Sequence, residues 1–239
     1  AFDGVRGMLN VLREVSLDEI REQAETPPRI LVVGPTAEAA RRLGLALTGA
    51  EGQFSSLYRA ANESLDGLGR LDAVVVWDPE RSEAGSRVST AVQYDSPPVP
   101  IVRFEGASPD DDHAVEQLRL DILRRNGDRV TGFGRALPAF RQAAAKQVID
   151  ETSIANAQFS IVSNLPALIP IIGGLAAAGA DFIVLTKNQV IMLYKLAAIY
   201  GRNLNDQRTI LQEVLPVVGA GLAGLVAARL LQRSGLSVT

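Results

Sequence analysis

Residues 152–180 carry no charged side chain. An uncharged run of this length either enters a bilayer or is buried in protein. Its content narrows the choice. Asn156, Gln158, Ser160, Ser163 and Asn164 are polar, Pro166 and Pro170 interrupt any helix, and Gly173-Gly174 follows. A helix broken at membrane depth survives only when packed against protein. A helical hairpin that dips into one leaflet fits the pattern as well as a span does. Its apolar turn, with Leu165, Pro166, Leu168, Ile169 and Pro170, is expected to dip into one leaflet or fill a groove on a protein partner.

The flanking segments are helical too. Residues 139–163 read as one helix, roughly 37 Å long at 1.5 Å per residue. Its first half is basic and its second half uncharged. Residues 182–200 form another helix. There Asp181, Asn188, Lys195 and Arg202 recur every seven residues as a narrow polar stripe. A last apolar stretch, 214–228, contains Pro216. The small residues Gly173, Gly174, Ala176, Ala177, Ala178, Gly179 and Ala180 permit close helix packing. Phe159, Leu165, Leu168, Phe182, Leu185 and Leu196 are expected to bury one another.

The front half alternates instead. Apolar runs at Ile30–Val33, Phe54–Arg59, Ala73–Trp77 and Pro100–Phe104 read as strands. Between and after them, residues 37–48, about 83–93 and 113–125 read as helices. Strands of continuous valine and isoleucine separated by helices predict a small, mostly parallel sheet. Before it, Phe2, Val5, Leu9, Leu12 and Val15 follow helical spacing, and Ser16 with Glu19 makes a capping box. The expected class is α/β plus all-α. N-terminal helices occupy 1–27, an α/β domain 28–127 and a helical, apolar domain 128–239.

The stretch "ILVVGPTAEAARRLG" has the strand–glycine–helix order of a phosphate-binding loop. Such a loop, GxxxxGK[ST], needs glycines for close backbone approach, a lysine for charge and a hydroxyl for magnesium. Counted from Gly34, those last three places hold Ala39, Ala40 and Arg41. Glu38, in the first helical turn, satisfies the helix dipole itself and repels an anion. After the third strand, Asp78 stands where a DxxG motif would begin, but Arg81 replaces the glycine. Asp78 is a vestigial metal position or an ordinary turn aspartate. Thr186-Lys187-Asn188-Gln189 approximates the base-reading pattern [NT]KxD. Its aspartate is glutamine and it lies in the helical half, so coincidence explains it. No catalytic residue, cofactor or metal is expected.

Charge is divided along the chain. Residues 1–112 hold 11 basic and 19 acidic side chains, and residues 113–239 hold 13 and 8. Opposite signs suggest two domains, one facing something anionic. The overall charge of -3 gives no case for nucleic acid. Arg119, Arg124, Arg125, Arg129, Arg135, Arg141 and Lys146 crowd the segment before the apolar region. Such a run favours the cytoplasmic face of an anionic membrane, with Arg124, Arg125 and Arg129 as contacts. The absence of cysteine excludes disulfides and thiolate metal sites, and His113 alone builds no histidine site. Arg6 and Arg13 break any apolar run near the N-terminus, so no signal peptide is expected.

Three segments, "DETSIANAQFSIVSNLPALIPIIGG", "ADFIVLTKNQVIMLYKLAAIYG" and "LQEVLPVVGAGLAGLVAARLL", resemble one helical domain of unknown function. It occurs in YcjF-like bacterial inner-membrane proteins and fused to Era-like GTPases. The resemblance covers about residues 139–231. Asn164-Leu165-Pro166 and Thr186-Lys187-Asn188-Gln189 are its most specific parts. The front half is similar, by strand order, to a shortened Era-like domain that has lost its nucleotide motifs. The resemblance implies a non-catalytic, membrane-associated adaptor or accessory subunit with a pseudo-GTPase-like domain. The expected place is the cytoplasmic face of the inner or plasma membrane. Expected partners are another protein and an anionic membrane surface. Two alternatives stand beside it: a divergent nucleotide-binding switch, and a soluble subunit that packs its hairpin into a protein partner.

Overall fold

A computed structural model describes residues 17–49, 56–79, 88, 98–164 and 174–205. Backbone alone is described for residues 160–164, 174–183 and 186. The chain divides into two compact units. One comprises Glu19–Val148 with Ala198–Gly201, and the other Ala1–Asp18, Ile149–Ala197 and Arg202–Thr239. The first unit thus extends to Val148, past the division expected after residue 127.

That unit begins with α1, Asp18–Glu25. Strand β1, Ile30–Gly34, runs into α2, Ala37–Thr48, and β2 covers Ser56–Ala60. Strand β3 is Ala73–Val76 and β4 is Ile101–Arg103. All four strands are parallel, in the order β2-β1-β3-β4. Every residue of β1 and β3 is buried, as their continuous apolar sequences require in a sheet covered on both faces. Leu31, Val33, Val74 and Val76 point one way. They pack with Leu68, Leu71 and Val88 in a single cluster. Of the strand expected at Phe54–Arg59, residues 56–59 lie in β2, which runs on to Ala60, while Phe54 and Ser55 lie outside the described residues; Trp77 lies just past β3. The helix expected near 83–93 falls outside the described residues apart from Val88, which is buried.

Helix α3, Asp112–Arg125, starts where the acidic run sits. Asp111 caps it by accepting from the Ala114 N–H at 3.0 Å. His113 is exposed beside this cap. A short 3-10 turn, Gly127–Arg129, leads into α4, Val130–Ala136. Helix α4 is not anticipated by the sequence: "VTGFGRA" holds two glycines and no apolar period. Burial of Val130, Thr131, Gly132, Phe133 and Gly134 holds it instead. Gly132 is required there. A Cβ at that position would lie 2.6 Å from the Gln23 carbonyl oxygen of α1.

Helix α5, Arg141–Asn164, and helix α6, Gly174–Ile199, match the two long helices read from sequence. Helix α6 begins earlier than residue 182, because alanine-rich sequence outweighs scattered glycines in helix propensity. Phe159, Leu185 and Leu196 are half-buried rather than fully buried. Leu165 and Leu168 lie outside the described residues, as does the side chain of Phe182. The last apolar stretch, 214–228, also lies outside them. Across the described residues the class is mixed α/β, with helices predominating over a small parallel sheet.

Candidate functional site

In a doubly wound sheet, ligands bind beyond the carboxyl ends of the strands, where the strand order reverses. Here the chain leaves β1 toward β2 on one side and returns to β3 on the other. The reversal therefore lies between β1 and β3. Val33 is registered with Val76, which sets Gly34 beside the residues that follow β3. Both sequence-derived nucleotide positions, Gly34 and Asp78, lie at this one edge.

The turn from β1 to α2 contains only Pro35 and Thr36. Thr36 adopts extended backbone, φ −135° and ψ 160°, and its hydroxyl accepts from the Ala39 N–H at 3.1 Å. The Ala40 N–H donates to the Thr36 carbonyl at 3.0 Å. Ala39, Ala40 and Arg41 are therefore helical residues, with no phosphate-sized loop before them. Gly34 has a different use from the one its motif suggests. A Cβ there would lie 2.9 Å from the Ala40 nitrogen, so glycine lets α2 sit directly on the end of β1.

Arg41 is spent on Glu38. Its Nη2 and Nε donate to the two carboxylate oxygens at 2.8 and 2.9 Å. Hydrogen bonding from Arg41 holds the Glu38 carboxyl below its ordinary pKa, and the same bond raises that of Arg41. The anion that α2's positive end would attract is thus supplied by the helix itself.

At β3, the Trp77 N–H donates to the Val33 carbonyl at 2.8 Å. Its indole meets Phe104 edge-to-face, with centroids 5.8 Å apart and planes at 83°. The indole Nε1 is buried and has no hydrogen-bond partner among the described residues. Asp78 follows, half-buried. Among the described residues there is no cluster of three or more His, Cys, Asp or Glu side chains suited to a metal.

The basic run separates into two kinds of residue. Arg119 donates from Nε and Nη2 to the carbonyls of Leu47 and Ala46, at 2.9 and 2.7 Å, closing the end of α2. Arg135 donates to the Ala198 carbonyl at 3.1 Å. Arg129 faces inward as well. It pairs with Asp72 at 3.1 Å, with only 15% of its side chain exposed, and donates to the Thr26 carbonyl at 3.0 Å. Arg129 is therefore not available as a membrane contact, contrary to the expectation from charge alone. Arg124 and Arg125 are exposed, Arg124 paired with Asp121 at 2.9 Å. Lys146 is exposed too. The apolar turn with Leu165, Pro166, Leu168, Ile169 and Pro170 lies outside the described residues. Among the described residues, no helix is long and apolar enough to cross a membrane.

No protein-family model matches the chain, and neither a curated protein nor a solved structure matches it. The functional reading rests on the residues themselves.

Proposed function

We propose that the protein is a non-catalytic adaptor or accessory subunit. In this reading its α/β unit is a pseudo-GTPase-like scaffold, and its helical unit makes the working contact. The β1–α2 turn is the observation that carries it. A two-residue connection, capped by Thr36 and neutralised by the Glu38–Arg41 pair, leaves neither room nor charge for a triphosphate. The divergent-switch alternative needs backbone amides free at this turn, and Thr36 takes one of them. Calorimetry of the full chain with magnesium and GTP, and separately ATP, tests the reading. No binding heat at micromolar protein is expected, and a micromolar site would overturn it.

The partner is either an anionic membrane or another protein. The inward roles of Arg119, Arg129 and Arg135 favour a protein, because they remove three cations from the surface that a membrane would attract. The YcjF-like resemblance of residues 139–231 supports the membrane. Co-sedimentation with vesicles containing a phosphatidylserine fraction separates the two. Binding that survives high salt supports insertion of the hairpin around Pro166 and Pro170. Absence of binding at low salt supports a protein groove.

A further inference from the structure

Asn156, in the uncharged segment of α5, and Asn188, at the centre of α6, are polar side chains in largely apolar helical sequence. Asn188 Nδ2 donates to Asn156 Oδ1 at 2.9 Å, across 32 residues of sequence, and both residues are half-buried. Both belong to the helical unit. On α5, the half-buried positions between Ile149 and Phe159 are Thr152, Asn156 and Phe159, spaced as one helical face. On α6, Asn188 lies among half-buried Val184, Leu185, Ile191 and Met192. Only residues 165–173 separate the two helices along the chain, a spacing that favours an antiparallel pair.

We infer that the Asn156–Asn188 pair is a register pin for this hairpin. Apolar contact alone specifies register poorly, since a slide by one turn replaces one aliphatic contact with another. With the asparagines present, a slide puts Asn156 opposite Val184 or Met192. It leaves two half-buried amides without each other, and an unsatisfied amide is costly to hide. A polar pair between two helices selects one alignment and sacrifices some stability to do so. The pin also accounts for the Asn188 of Thr186-Lys187-Asn188-Gln189: it answers to another helix. The inference does not depend on the adaptor reading.

The chain has no cysteine, so introduced pairs report without background. In an antiparallel pair centred on Asn156 and Asn188, position 152 faces 192. After a one-turn slide it faces 196. Two full-length proteins are compared, Thr152→Cys/Met192→Cys and Thr152→Cys/Leu196→Cys, with copper–phenanthroline oxidation read by mass spectrometry. Each is made with the native asparagines and again with Asn156→Leu/Asn188→Leu. With the asparagines, the 152–192 disulfide should form about tenfold faster than 152–196. With the leucines, that preference should fall to roughly twofold or less while helicity by circular dichroism is kept. If the leucine protein loses its helicity, Asn156→Ala/Asn188→Ala is read in the same way. A tenfold preference that persists without the asparagines overturns the proposal, and so does equal cross-linking with them.

Discussion

The Arg129 guanidinium lies 3.1 Å from the Asp72 carboxylate, and the second carboxylate oxygen of Asp72 accepts from the Arg29 backbone N–H at 2.8 Å. One carboxylate therefore ties the entry of β3 both to the segment before β1 and to the turn between α3 and α4. Exposures of 15% and 8% for the paired side chains place the contact among shielded ion pairs. Removing one partner of such a pair strands the other. Asp72→Ala should cost roughly 3 kcal/mol. Asp72→Ala combined with Arg129→Leu should cost less than the sum of the single changes. Urea denaturation of the three variants measures this, and strict additivity would mean that the pair is not coupled.

Gly132 should accept no side chain. The atom in the way is the Gln23 backbone carbonyl oxygen, 2.6 Å from where a Cβ would stand, and backbone yields less readily than a side-chain end. Gly132→Ala is expected to destabilise by about 2 kcal/mol, the usual cost of overpacking. Gly127→Ala, whose Cβ meets nothing within 4 Å, serves as the control. The urea midpoints of the two variants should separate clearly.

Thr36 should act as a helix cap. Thr36→Ala removes the acceptor for the Ala39 N–H and should cost about 1 kcal/mol. Thr36→Ser and Thr36→Asp should retain most of that stability. Thermal melts of the series check it, and equal midpoints for alanine and serine would refute the capping role.

The Glu38–Arg41 pair predicts the sign of a pH effect. Because the folded pKa of Glu38 is lowered, its contribution is present above the unfolded value and is lost as pH falls through the folded one. Carboxylate titration by NMR should place Glu38 below the ordinary glutamate range. Arg41→Leu should return it toward that range. An unchanged midpoint in Arg41→Leu would show that the hydrogen bond is not the cause.

Arg124 and Arg125 offer the cleanest test of membrane attraction, since Arg129 has an internal role. Near an anionic surface each basic side chain is worth roughly 1 kcal/mol, screened within a Debye length. If the membrane is the partner, Arg124→Glu/Arg125→Glu should weaken vesicle co-sedimentation at low salt and matter little at high salt. Unchanged binding at both ionic strengths would assign these arginines elsewhere.

The strands of the sheet were legible because β1 and β3 are short unbroken apolar runs, which only burial on both faces explains. Helix α2 was legible to the residue, since Thr36 opens it and Gly49, with φ 74°, closes it. Helix α4 was not, because packing rather than periodicity sustains it. At the candidate site the missing motif residues are plain in the sequence, but only the backbone reveals that Gly34 serves helix packing. Arg129 was misread because a count of cations cannot tell a surface charge from one aimed at a carbonyl 103 residues away. Asn188 was set aside as a chance motif match, since its partner sits 32 residues upstream and no local pattern joins them.

The Arg129 clasp also bears on the order of folding events. Its hydrogen bonds and ion pair span 57 to 106 residues of sequence, so each closes a long loop. Contacts of that span form only after local helices and neighbouring strands have brought the ends together. The clasp should therefore be absent from the folding transition state. Its loss would leave the refolding rate nearly unchanged and appear as faster unfolding. One guanidinium would then govern how long the folded unit lasts more than how quickly it is made.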